Sequence, residues 1–385
     1  MGLRGGPPGR TTFLRCIAAH ARAVEAHLTR RMSSSGWRGY WSAPIARAAL
    51  ALAALVSSFP LSAATAVVDA LQRPALVVKE PQRVVLLAGG QVGARIVVVG
   101  ERGVIAFSDD SGATWGQAPC PVSVTLTMVR FSDDRHGVAV GHGGAVLTTS
   151  DAGASWVVRL DGRRAAQMAK EAATTPQAQR DAARLVADGP DKPFLDVILW
   201  DEKRFVVVGA YGLAFHTADG GVTWTPWMAR LPNPNSRHWY KARRAGNTLW
   251  LAGEQGLLAR SSDGGETFQA VASPYHGSWF TGELQPDGSV LLAGLRGNVW
   301  RSPDGVKWTQ IASPVPASIT AVARAADGRL LLASQAGTVL VLQGDSLAPL
   351  NSLSLPSPAA LLQLPGGVLL SVGVNGVLPA LERRS

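Results

Sequence analysis

Seven segments of this chain repeat one pattern, a glycine turn between two apolar stretches. VVVGERGVIAFSDDSGATW (97–115), AVGHGGAVLTTSDAGASW (139–156) and VVVGAYGLAFHTADGGVTW (206–224) are the clearest copies. LAGEQGLLARSSDGGETF (251–268), LAGLRGNVWRSPDGVKW (292–308), LASQAGTVLVLQGDS (332–346) and SVGVNGVLPALERRS (371–385) follow. The aligned glycines are Gly103, Gly144, Gly212, Gly256, Gly297, Gly337 and Gly376, with gaps of 41, 68, 44, 41, 40 and 39 residues. Each copy reads strand, tight turn, strand, polar turn, strand, and a further strand precedes it, as at Thr127–Phe131 and Ser318–Ala323. Four strands in ~41 residues are the content of one propeller blade. The expected fold is therefore all-β: a seven-bladed β-propeller of four-stranded blades. A parallel β-helix would need shorter coils, and a leucine-rich repeat its own Leu/Asn signature.

The polar turn has a physical cause. Four copies fit Ser/Thr-x-Asp-x-Gly-x-Thr/Ser-aromatic, built on Asp110, Asp151, Asp219 and Asp263. Such an Asp accepts N–H bonds from residues just ahead of it. Trp115, Trp156, Trp224 and Phe268 then anchor the turns, and Ser302-x-Asp304 begins a copy one residue short. The same residue at the same turn in successive blades points to folding rather than to ligand binding. The last copy runs out after three strands, so Leu76–Lys79 is expected to complete the seventh blade and close the ring.

The one long gap has a visible source. Residues 161–192, DGRRAAQMAKEAATTPQAQRDAARLVADGPDK, have helix composition, and Pro176 divides them into two arms. A helical hairpin or a mobile flap is expected between blades 2 and 3.

Residues 1–66 carry 8 Lys/Arg against 1 Asp/Glu, and the remaining residues 29 against 26, so the formal charge of +10 is concentrated in the leader. A nearly neutral propeller argues against a nucleic-acid partner. Arg38 and Arg47, the apolar run AALALAALV (48–56) and Ala64-Thr65-Ala66 make the three-part pattern of a secretory signal peptide. Met32 is an alternative start, which would make 1–31 a mis-assigned extension. The expected organisation is a leader over 1–66 and a propeller over 67–385, in the periplasm or secreted. Cys120 is the one cysteine after the leader, so no internal disulfide is expected.

Sites of chemistry are scarce. The chain shows no Gly-x-Ser-x-Gly elbow and no P-loop. His136, His142, His216, His238 and His276 show no metal-ligand spacing. No cofactor, metal or catalytic residue is expected. A secreted glycan-binding or glycoside-hydrolysing propeller is the alternative, because Asp turns of this kind also occur in sialidases. It would have to draw on Tyr211, Tyr240 or Tyr275 and on carboxylates such as Glu80, Glu101, Asp196, Glu254 and Glu283. The strongest binding signal is Arg237-His238-Trp239-Tyr240-Lys241-Ala242-Arg243-Arg244, four cations and two aromatics in eight residues. Arg237, Trp239, Tyr240, Lys241, Arg243 and Arg244, with Arg296 and Arg260 near the same face, are the candidate partner-binding residues. The alternative reading of this stretch is a solvated basic strand edge that blocks aggregation.

The signal pattern, glycine-turn repeats, Asp turns and mid-chain insertion together resemble the photosystem II stability/assembly factor propellers, a branch of the Asp-box (BNR, sialidase-like) repeat superfamily. The resemblance covers 75–385. It implies a seven-bladed, exported, non-enzymatic and chaperone-like protein that uses an arginine patch against its assembly partner. Arg237, Lys241, Arg243 and Arg244 are the candidate counterpart that the resemblance implies. The expected partner is an envelope or membrane protein, with the propeller itself a monomer touching the membrane through that partner. The leader has no lipid-anchor cysteine after its small-residue site, unlike some photosynthetic relatives.

Overall fold

The structure is a computed structural model, and it describes residues 69–285, 287–350 and 354–380. The leader expected over 1–66 lies outside the described residues. Among the described residues, twenty-seven strands form seven antiparallel sheets in strict chain order. Blade 1 spans β1 (Leu86–Val92) to β4 (Gly116–Gln117), and blade 2 β5 (Leu126–Phe131) to β8 (Val157–Leu160). Blade 3 spans β9 (Phe194–Leu199) to β12 (Thr225–Pro226), and blade 4 β13 (Trp239–Ala245) to β16 (Gln269–Ala270). Blade 5 spans β17 (Trp279–Leu284) to β20 (Thr309–Ile311), and blade 6 β21 (Ile319–Arg324) to β24 (Ser346–Pro349). Blade 7 is β25 (Pro358–Gln363) to β27 (Gly376–Pro379). The first strands of successive blades pack side by side, and β25 lies against β1, so the ring is closed.

The repeat pattern explains where the core lies. The second strand of each blade is largely apolar and buried nearly throughout, as in FVVVG of β10 (Phe205–Gly209) and VLLAG of β18 (Val290–Gly294). A strand covered on both faces has no need to alternate. There is accordingly no single core. Seven apolar clusters sit at the seven seams between blades, each drawing on both neighbours. The turn glycines of the repeat, from Gly103 to Gly376, all adopt positive φ between 63° and 90°.

The Asp turns fold as their sequence requires. In blade 3 the Thr223 N–H donates to Asp219 Oδ1 (2.9 Å) and the Thr223 hydroxyl to Oδ2 (2.6 Å). The Thr217 hydroxyl donates to Asp219 (2.8 Å) and receives the Gly221 N–H (2.9 Å), and Trp224 Nε1 donates to the Gly221 carbonyl (3.0 Å). Asp110 and Asp151 repeat this set with Trp115 and Trp156. Asp263 repeats the carboxylate bonds with Thr267 and Ser261.

The insertion forms two helices, α1 (Gly162–Ala172) and α2 (Pro176–Asp188). Asp161 caps the first by accepting the Arg163 and Arg164 N–H groups. Thr175 caps the second, with Pro176 in its first turn. Ala165, Ala169 and Ala182 are buried in the cluster between blades 2 and 3. The small side chains let the hairpin lie close to the ring.

The expected closure of blade 7 needs correction. Blade 7 has three strands among the described residues, and Leu76–Lys79 is not one of a fourth. Instead the Val78 N–H donates to Gln117 Oε1 (2.9 Å) and Gln117 Nε2 donates to the Leu76 carbonyl (2.9 Å), so this segment straps blade 1. The seam with blade 7 is sealed by packing of Leu86, Ile96 and Val98 on Leu364, Leu370 and Val372.

Candidate functional site

The octapeptide at 237–244 does not form one surface. A strand rises ~3.3 Å per residue, so eight residues traverse the ring from rim to rim. Arg237 precedes β13 on the rim that carries the turns between second and third strands. There His238 Nδ1 accepts the Tyr211 N–H (2.9 Å), tying the blade 3 turn to the segment that leads into β13. Arg296 is exposed in the corresponding turn of blade 5, on the same rim. Arg244 lies at the other end of β13, exposed, donating to the Leu199 and Gly246 carbonyls. Arg260 also belongs to the far rim, where Nη1 donates to the Asp304 carbonyl (2.9 Å) of an Asp turn. Trp239 is not a contact residue at all. It is fully buried between blades 3 and 4, and its Nε1 has no hydrogen-bond partner.

Lys241 and Arg243 lie in the wall between the rims, already engaged. Asp196 on β9 is completely buried and collects three cations from the two flanking blades. Arg130 on β5 grips it through Nε (3.0 Å) and Nη2 (2.9 Å). From β13, Arg243 Nη1 stands 3.1 Å and Lys241 Nζ 3.4 Å from Oδ2. Arg243 Nε then reaches Glu283 on β17 (3.3 Å), and Arg324 on β21 reaches Glu283 from the other side (3.4 Å). A chain of ion pairs thus runs along the first strands of blades 2 to 6. Burial opposes the charge on Asp196, yet Arg130, Lys241 and Arg243 hold its carboxyl far below the usual range. Lys241 moves the other way: burial, reinforced by Arg243 and Arg130 and opposed by Asp196, pushes its ammonium down to about 8.

On the rim, an aromatic strip crosses from blade 3 to blade 5. Tyr211 is half exposed, with its ring 4.8 Å from that of His238. His238 meets Tyr240 edge-on at 5.9 Å, and Tyr240 meets Phe280 at 5.6 Å. Lys192 Nζ lies 5.2 Å over the Tyr211 ring, and Glu254 stands 3.8 Å from His238 Nδ1.

Sequence reasoning placed Lys241 and Arg243 on a free patch and did not pick out Arg130 and Arg324. The available signal was a lone charge inside an otherwise apolar first strand, LTMVRF and ITAVAR. Buried polar residues are the informative ones.

Comparison with known proteins follows the same geometry. The family described as "Photosynthesis system II assembly factor YCF48" matches residues 176–344, from α2 into blade 6. "Photosystem II assembly lipoprotein Ycf48" of Synechococcus sp. (strain CC9902) is 25% identical over 146 residues, 37% of this chain and 44% of the relative. Less than half of that relative is therefore spanned. A structure described as "YCF48 bound to D1 peptide" superposes with a TM-score of 0.58 at 16% identity, covering 79% of this chain and 97% of that one. YCF48 from Cyanidioschyzon merolae gives 0.56 at 15% identity, with the same coverage. The chain is a β-propeller that resembles photosystem II assembly factors. The WD40 propeller of Doa1, at 10% identity and a TM-score of 0.57 over 80% of this chain and 95% of that one, shares the fold alone. The matched segment of this assembly factor-like chain contains Asp196, Lys241, Arg243, Glu283 and Arg324 and stops short of Arg130.

Proposed function

We propose that this chain is an exported, non-enzymatic scaffold that holds a segment of a membrane protein while its complex is assembled. The observation that carries the reading is the shared sequence of blades 3 to 6 with photosystem II assembly factors. A neighbour described as bound to D1 peptide adds the kind of client: a peptide segment. The receiving surface on this reading is the rim bearing Tyr211, Arg237, His238, Tyr240 and Arg296. Aromatic rings beside cations favour peptide recognition, and these side chains are not consumed by the ion pairs of the wall. The signal-like leader supports export.

Glycoside hydrolysis fits less well. It needs a protonated acid beside an ionised base or nucleophile. Asp196 is buried and held ionised by three cations, and Glu283 is spanned by two arginines.

Affinity capture from native membranes tests the reading, with the wild type beside Arg237→Glu/Arg296→Glu. A subunit of one membrane complex retained by the first and lost by the second, with both proteins folded, is the expected result. Equal recovery by both, or no membrane subunit with either, overturns it.

A further inference from the structure

The carboxylate at the centre of the wall has more donors than it can serve. A carboxylate offers about four lone-pair positions. On Oδ1 of Asp196 converge Arg130 Nε (3.0 Å), Arg130 Nη2 (2.9 Å) and the Val197 N–H (2.9 Å). On Oδ2 converge the Ala242 N–H (3.1 Å), Arg243 Nη1 (3.1 Å), Arg130 Nη2 again (3.2 Å) and Lys241 Nζ (3.4 Å). Arg243 finds relief at the Ala242 carbonyl (2.9 Å) and at Glu283, and Arg324 finds it at Gln285 Oε1 (2.8 Å). Arg130 and Lys241 do not. Among the described residues, Lys241 Nζ has Asp196 as its sole acceptor, and Arg130 Nη1 has none.

The charge balance points the same way. Three cations meet at one carboxylate, and the whole chain of pairs sets four cations against two carboxylates. Both unsatisfied groups keep part of their surface open, 30% for the Arg130 side chain and 14% for Lys241.

We propose that the wall of the ring beside Asp196 binds a small oxyanion, of the phosphate or sulfate class, through Arg130, Lys241 and Arg243. Tetrahedral oxygens match a guanidinium edge and an ammonium together, and an oxyanion supplies the acceptors that Asp196 lacks. Binding would also lift the mutual repulsion that now discourages the charge on Lys241. The proposal is independent of the scaffold reading, which concerns the rim.

The test uses the full chain, with thermal unfolding in sodium phosphate, sodium sulfate, sodium acetate and sodium chloride at matched ionic strength. Phosphate and sulfate also stabilise proteins non-specifically by exclusion from their surface. The readout is therefore the rise over chloride in the wild type minus the rise in Lys241→Met. A difference of about 2–4 °C near saturation is expected for phosphate and sulfate. Arg244→Gln, at the exposed end of β13, should keep the wild-type response. No difference between wild type and Lys241→Met overturns the proposal, and a larger response to acetate reassigns the site to a carboxylate ligand and overturns the oxyanion. If Lys241→Met does not fold, calorimetry of sulfate binding to the wild type at pH 8 in two buffers of unlike ionisation heat decides. Proton uptake supports the site, because the bound anion restores the ammonium. Binding without uptake, or no binding, rejects it.

Discussion

Arg243 Nη1 lies 3.1 Å from Asp196 Oδ2 across the seam between blades 3 and 4, and its Nε lies 3.3 Å from Glu283 across the next. One side chain therefore joins three blades. The seams around it are otherwise closed by apolar packing, which is non-directional and leaves rotation of one blade against another weakly specified. Hydrogen-bonded ion pairs supply that direction. They do so at a desolvation cost, so their removal is asymmetric: losing one partner leaves the others buried and uncompensated.

Asp196→Asn tests this asymmetry. It keeps the shape but removes the charge that Arg130, Lys241 and Arg243 share. A loss of about 3–5 kcal/mol in denaturant unfolding is expected. A loss under about 1 kcal/mol would show that the cations find other compensation.

The acid limb of stability follows from the Asp turns. Hydrogen bonds from Thr114 and Ser108 lower Asp110 from 3.8 to about 2, and those from Thr223 and Thr217 do the same for Asp219. A carboxyl with a folded pKa below its unfolded one stabilises the fold above the unfolded value and loses that contribution as pH falls through the folded one. The melting temperature should thus drop steeply between about pH 4 and pH 2. Asp219→Asn should flatten this limb while lowering the plateau at pH 7, and an unchanged limb would assign acid sensitivity elsewhere.

Gly376→Ala probes the closing seam. Gly376 has φ +82°, and a Cβ there would sit 1.9 Å from the Gln82 carbonyl oxygen. No rotamer relieves a backbone clash, so the β26–β27 turn must move away from Pro81–Arg83. A loss of more than about 1 kcal/mol is expected. Gly366→Ala, where φ is also positive but nothing stands within 4 Å, separates strain from clash. Equal losses in both variants would mean that the seam contact contributes nothing.

Ala169→Arg tests the docking of the helical hairpin. Ala169 is buried under α1 against the cluster of blades 2 and 3. A long charged side chain should lift the helix, so proteolysis should appear first within residues 161–192 while the blades remain intact. Protection of that segment would show the hairpin held mainly by its Asp161 cap and its turns.

Repeats were legible because each blade solves the same problem with the same residues. A glycine at positive φ, an Asp that closes its own turn and a doubly covered apolar strand are all local requirements, so they mark the sequence at fixed spacing. The hairpin was legible for the same reason, through Pro176 and a run of alanines. The wall was not. Asp196 is separated from Arg130 by 66 residues and from Arg243 by 47, and nothing in either neighbourhood names the other. The cluster at 237–244 misled because adjacency along a strand is not adjacency on a surface: alternate side chains diverge, and the two ends reach opposite rims. The expected fourth strand of blade 7 failed on a comparable point. Leu76–Lys79 is apolar enough to pair, but Gln117 offers it side-chain partners on blade 1 first.

The seam between blades 7 and 1 is built like the other six, from apolar side chains of two independent sheets. Its closure owes nothing to a strand borrowed across the junction among the described residues. Among the described residues, opening the circle at this junction would therefore break the same kind of contact as opening it at any other.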